Sequence, residues 1–184
     1  MTTVPTEIAT PTLVGHWDVD PTHSSVEFRA RHAGVARVRG IFEVFDGSLD
    51  VDADGAVRAR GTIDAASLST RLRARDEHLR SSDFLDIANH PRIEFASTDV
   101  RVGAGGAVTM RGLLTIRDVT REITLEGELH GPGRDDEGTE RIGLALEGRL
   151  DRRDYGLTWN AAVEGGGVLV GHRVDIALEF SAVR

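Results

Sequence analysis

Four stretches of this chain share one pattern, an apolar residue at every second position with a glycine inside the run. They are Val57/Ala59/Gly61/Ile63, Val108/Met110/Gly112/Leu114, Ile123/Leu125/Gly127/Leu129 and Leu144/Leu146/Gly148/Leu150. Period-two alternation turns one face of a strand to a core and the other to solvent. Glycine inside a strand is ordinarily unfavourable and marks a bend, a bulge or a close backbone approach. The same bend at the same depth in four strands is what coiling a sheet into a barrel requires. The pattern favours a barrel over a sandwich. It leaves open whether the glycines serve curvature alone or also leave interior room.

The alternation continues elsewhere. Trp17 and Val19 precede a turn at Asp20–Ser24, after which Val26, Phe28 and Ala30 alternate with Glu27, Arg29 and Arg31. Gly34 breaks the run, Val38, Gly40, Phe42 and Val44 resume it, and Leu49 and Val51 follow an Asp46-Gly47 turn. Asp54-Gly55 is a hairpin signal. Further strands are expected at 93–102, 108–116, 123–129, 142–150 and 174–180, eight or nine in all. The class is all-β and antiparallel.

One segment interrupts the strands, SLSTRLRARDEHLRSSDFLDIANHPRIEF at 67–95. Leu72 and Leu79 lie seven apart and share a helical face, with Arg75 and Asp76 flanking it. Ser82 and Asp83 read as the start of a second short helix, ended by Asn89 and Pro91. The segment is a helical flap between strands. Its charges face either solvent or the apolar stripe, where unpaired charge is rare.

Length, charge and motifs exclude much. A chain of 184 residues suits one domain. A net charge of -8, with nothing in the sequence concentrating positive charge on one element, argues against nucleic acid. There is no cysteine and hence no disulfide framework. Residues 1–15 lack the features of a signal peptide and read as a flexible tail before a single domain at 16–184. No stretch suits a membrane span, so a cytoplasmic protein is expected. Asp50-Val51-Asp52-Ala53-Asp54-Gly55 imitates half a calcium loop, but its twelfth position is Gly61 where a bidentate Glu is needed. The histidines have no zinc spacing, and no phosphate-binding or nucleophile-elbow motif occurs. Asp76 and His78, two residues apart on a helix, do not face each other as an acid–base pair. No catalytic residue, metal or cofactor is expected.

WDVDPTHSSVEFRARHAGVARVRGIFEVFDGSLDV, the flap STRLRARDEHLRSSDFLDIANHPRIEF, LTIRDVTREITLEGELHG and RRDYGLTWNAAVEGGGVLVGHRVDIALEFSA occur in that order over residues 16–184. Together they resemble the YceI family of lipid-binding proteins, known for binding polyisoprenoids. Two positions depart from the family pattern: Asp118 replaces a usual Gly before Val-Thr, and His172 replaces a small or acidic residue in an expected surface turn. The resemblance implies an extended eight-stranded antiparallel lipocalin-like β-barrel with a helical flap and a long apolar bore. It also implies the partner, a long-chain isoprenoid lipid such as a polyprenyl phosphate, a polyprenyl pyrophosphate or an isoprenoid quinone.

The expected lining of the bore, for the lipid tail, is Phe28, Phe42, Leu79, Phe84, Phe95, Met110, Leu114, Leu125, Leu146 and Trp159. The candidates for the head group are Arg75, Asp76, His78, His32 and Tyr155. Arg152 and Asp154 are expected to form a local structural pair. An eight-stranded barrel is just wide enough to be filled by side chains or to hold one ligand. The expected function is carriage or sequestration without chemistry. The alternatives are an enzyme using Asp76 or His78 as acid–base group, or a filled barrel that binds a protein; a homodimer is compatible with either.

Overall fold

The computed structural model describes residues 13–163 and 166–184. Eleven strand segments and one helix follow in order: β1 Gly15–Val19, β2 Ser25–His32, β3 Ala36–Phe42, β4 Phe45–Val51, β5 Val57–Asp64, β6 Leu68–Ser69, α1 Arg73–Arg80, β7 Arg92–Val102, β8 Ala107–Ile116, β9 Val119–Arg134, β10 Glu140–Asp151 and β11 Val170–Val183. Three pairs of segments are halves of bent walls: β1 with β2, β3 with β4, and β5 with β6. The first bend is held by Asp20, whose carboxylate accepts the Thr22 N–H at 3.0 Å and whose carbonyl accepts the Ser24 hydroxyl at 2.7 Å. The result is a closed eight-stranded antiparallel barrel in which sequence neighbours pair all the way round. The ring closes along β11, where Asp18 meets Val183 and Val19 meets Ala182, and where β2 pairs from Ser25 opposite Glu179 to His32 opposite Val170.

Residues 1–12 of the expected tail lie outside the described residues. Residues 13–15 belong to the barrel, which corrects the expected boundary. Leu13 is buried beside Trp17, whose indole Nε1–H donates to the Leu13 carbonyl at 2.7 Å, and Gly15 pairs with Val51. A buried indole N–H usually finds such an acceptor. His172 sits in β11, beside a register shift, and not in a surface turn.

Most of the inward glycines turn out to be occupied positions; at Gly61 a Cβ would meet only the Asp46 carbonyl oxygen, at 3.6 Å. A Cβ on Gly40 would lie 2.2 Å from the Phe28 ring, and one on Gly112 would lie 2.3 Å from the Phe95 ring. Each ring therefore lies flat on the wall, over the missing side chain. At Gly127 the obstacle is backbone, since a Cβ would fall 1.8 Å from the Ala145 carbonyl oxygen. There the glycine lets the coiled strands approach closely.

The seam is laced by charge. Arg141 reaches Asp20 at 2.8 Å and Asp135 at 2.6 Å, while Arg184 binds Glu140 and lays its guanidinium 4.5 Å from the Trp17 ring. Arg141 holds both of its carboxylates below their usual range, and Arg184 does the same to Glu140. A depressed carboxylate stabilises the fold above its unfolded pKa, and that stability is lost as pH falls through the folded value. The melting temperature is therefore expected to hold down to about pH 5 and to fall below about pH 4. Arg141→Gln should flatten that acid limb. A decline already between neutrality and about pH 5 would assign the pH dependence to histidines instead.

Candidate functional site

Inward residues from all around the barrel enclose a cavity of about 240 Å³. Phe28, Phe42, Leu79, Phe84, Phe95, Met110, Leu114, Leu125 and Leu146 lie along it, as the alternation requires, and Leu68, Leu85, Leu157 and Phe180 join them. Few charged residues border it. Asp46, Arg60 and Glu94 are exposed strand positions, and Glu27 turns its carboxylate to Arg39. Arg152 is different.

Arg152 is 3% exposed and lines the cavity. Its Nε–H donates to the Gly171 carbonyl at 2.9 Å, Nη2 donates to Val170 at 3.1 Å, and Nη1 donates to Leu157. The guanidinium carbon lies 5.9 Å from the centre of the Phe84 ring. Among the described residues no carboxylate pairs with it, so the expected bond to Asp154 is not formed. Burial lowers its pKa, although a guanidinium stays charged. The sequence reading missed this residue because nothing local reveals that its partners are carbonyls across a loop. A guanidinium has five N–H donors, and two here have no acceptor among the described residues.

The flap covers the same end. Only its first helix forms. Residues 81–90 are a series of tight turns, because Asp86 enters the left-handed region at φ 49° and breaks any second helix. Asn89 follows it and donates to both Asp86 carboxylate oxygens, at 3.1 and 3.0 Å. Leu72 does not share a buried face with Leu79; it sits at the N-cap of α1, exposed. Leu79, Phe84 and Leu85 reach the cavity.

Arg75 and Asp76 do not reach it, and they do not pair with each other. Both converge on Thr70. Asp76 is buried and accepts the Thr70 N–H at 2.8 Å and its hydroxyl at 2.5 Å. Arg75 donates from Nε to Thr70 Oγ1 at 2.7 Å and from Nη2 to the Thr70 carbonyl at 2.9 Å. They fasten the flap to β6. Cavity contact through Arg75 and Asp76 is thus corrected: a strand-to-helix junction leaves backbone groups unpaired, and these side chains satisfy them.

His78, Phe84 and Trp159 form an aromatic cluster above the cavity. The His78 ring lies 4.5 Å from Trp159 and 5.1 Å from Phe84, edge-on to both, and its Nε2 is 2.8 Å from Asp83. Trp159 backs Phe84 and does not line the bore. His32 ends β2 opposite Val170 and is likewise off the lining. Tyr155 is buried with no partner for its hydroxyl among the described residues, and burial pushes its pKa up to about 12. It too lies outside the lining.

The β8–β9 turn locks the flap down. Arg117 and Asp118 both have positive φ, at 51° and 61°, as a two-residue hairpin of the primed type demands. Arg117 Nη1 donates to the Phe84 carbonyl at 3.0 Å, and Asp118 Oδ2 lies 3.1 Å from His90 Nδ1, out of line for a hydrogen bond. Asp118, where the family pattern has Gly, thereby faces the flap.

A closed meander barrel around an apolar cavity, capped by a flap, defines the lipocalin-like class of architecture. Within that class the chain belongs to the YceI family: the model of the YceI-like domain matches residues 17–182. A UPF0312 protein of Staphylococcus aureus (strain MSSA476), SAS2572, is 34% identical over 166 residues, covering 89% of this chain and 93% of that one. Among solved structures, Burkholderia cenocepacia BcnA superposes with a TM-score of 0.74 at 20% identity, covering 89% of this chain and 98% of BcnA. A polyisoprenoid binding domain from Saccharophagus degradans, implicated in plant cell wall breakdown, superposes with a TM-score of 0.62 at 15% identity, covering 91% and 97%. Among the described residues no helix is long and apolar enough to cross a membrane.

Proposed function

We propose that this protein binds and carries a long-chain isoprenoid lipid, with the apolar tail in the bore and the polar end at Arg152. The observation that carries the reading is an apolar cavity bordered by one buried, carboxylate-free guanidinium. Family membership and the likeness to a polyisoprenoid binding domain support the same ligand class. Burying apolar carbon is worth about 0.8 kcal/mol per methylene, so each five-carbon unit offers roughly 3–4 kcal/mol before ordering costs. The tail supplies affinity. The head group supplies direction.

A guanidinium fork suits phosphate oxygens and, less strongly, a quinone carbonyl. The same site has no group arranged for acid–base chemistry, since Asp76 is consumed by Thr70 and His78 by Asp83 and the aromatic cluster. We therefore assign binding without turnover. Native mass spectrometry of protein purified from its own host tests this. The expected result is a retained lipid whose mass fits a series of isoprene units plus a phosphate or quinone head. An empty barrel that takes up neither polyprenol nor polyprenyl phosphate would sink the reading, and a mass change of the added lipid on incubation would make it an enzyme.

A further inference from the structure

The pairing of β2 with β3 places four arginines in two directly opposed cross-strand pairs, Arg29 with Arg39 and Arg31 with Arg37. Like charges facing each other across a ladder are destabilising. The first pair is relieved by Glu27, which takes the Arg39 guanidinium on both oxygens and lies 3.5 Å from Arg29. The second pair finds no such relief among the described residues. Among the described residues Arg31 and Arg37 meet no carboxylate, and Arg31 makes only a 3.4 Å bond to the Gly34 carbonyl. This occurs in a chain with 30 acidic residues and a net charge of -8. The alternation of residues hid the cluster in the sequence, because only the hairpin brings the arginines onto one face.

Between the two unrelieved arginines, at the hairpin tip, stands Val35. It is 83% exposed, the highest value among the exposed large hydrophobics of the described residues. The tip adjoins the mouth of the bore. The Ala33 N–H donates to the Leu169 carbonyl at 2.7 Å, and His32 pairs with Val170, whose carbonyl holds Arg152. β6 runs antiparallel to β3, in the direction of the tip, and is followed by exposed Arg71 and Leu72.

We propose that this hairpin docks the barrel on an anionic bilayer, with Arg31 and Arg37 on lipid phosphates and Val35 in the interfacial layer. A juxtaposed pair of unneutralised arginines is favoured only where counter-charge arrives from outside, and an anionic leaflet supplies it. A bilayer fits better than a soluble anion because it also receives an exposed apolar side chain. The negative charge of the remaining surface is repelled by the same leaflet, so the orientation is set: the mouth faces the lipid. The docking face is separate from the bore, and its test does not depend on which lipid the bore holds.

The experiment is co-sedimentation of the full chain with phosphatidylcholine vesicles, with and without about one third phosphatidylglycerol. The wild type is expected to bind the anionic vesicles, to release as salt is raised, and to ignore the neutral ones. An arginine near the surface is worth about fivefold in partitioning, so the double change Arg31→Ser, Arg37→Ser should lose roughly 30-fold. The double change to Lys should keep most of the binding, and Val35→Asp should weaken it at unchanged melting temperature. Equal binding to neutral vesicles, or undiminished binding by a folded Ser double variant, overturns the proposal. So does retention on heparin without vesicle binding, which would assign the patch to a soluble polyanion. Because native mass spectrometry of the same variants reads the bore, a docking failure and a binding failure are distinguished.

Discussion

Arg152→Leu is expected to erase the preference for an anionic lipid while leaving the affinity for the matching hydrocarbon largely intact. The side chain donates to three backbone carbonyls and keeps two N–H groups without protein acceptors. A hydrogen bond to a charged group is worth about 1.5–3 kcal/mol, so losing even one of the two should cost polyprenyl phosphate roughly 10- to 100-fold in affinity. Three carbonyls would also lose their donor, which costs about 1–3 kcal/mol where one stays dry. Arg152→Lys separates the two effects, because it keeps the charge and gives up the fork. It should retain part of the phosphate preference. If Arg152→Leu remains folded and still prefers the phosphate over the hydrocarbon, the head group is recognised elsewhere and Arg152 serves only to tie β11 to β10.

The inward glycines give the second large effect, and two of them should behave in opposite ways. At Gly127 a side chain meets the Ala145 carbonyl oxygen, which cannot move without unpairing β9 from β10. Gly127→Ala is expected to cost more than about 3 kcal/mol, beyond ordinary overpacking. At Gly40 the obstacle is the Phe28 ring, which can swing aside. The space available to it is the bore. Gly40→Ala should therefore stay folded, lose about 1–3 kcal/mol, and bind long-chain polyprenols worse than short ones. Phe28→Ala on top of Gly40→Ala should restore the long ligand. Chain-length dependence in thermal shift assays decides this, and equal loss for both lengths would reduce Gly40 to a curvature element.

The barrel was legible because period two and a glycine repeat are local signals, and strands such as β5, β7 and β8 begin and end within a residue or so of their sequence limits. Most of the lining was legible for the same reason: parity along a strand decides which side chains face inward. Polar partners were not. Arg75 and Asp76 were drawn towards the cavity by their helical neighbours, yet Thr70, just upstream, claims both. Arg152 looked like half of an ion pair with Asp154, and its acceptors are carbonyls at 157, 170 and 171 that only the folded loop assembles. An aromatic residue near a strand edge, Trp159 suggests a place in the bore, whereas it packs at a tilt against Phe84 and off the lining. The second flap helix failed on one residue, Asp86, whose left-handed backbone no periodicity announces.

The position of the seam bears on how such a barrel comes to be filled. All other walls join neighbours in sequence, and the ring is completed only where the first wall, β1 with β2, meets β11. Contacts between distant parts of a chain form late, because the entropy of closing the loop must be met first. Until then the sheet is an open trough with its apolar face uncovered. A lipid that lies in the trough during folding is wrapped as the chain ends come together, whereas one that arrives afterwards must pass lengthwise beneath the flap. Synthesis beside a supply of lipid and synthesis apart from it thus lead to the same folded chain by two different loading histories.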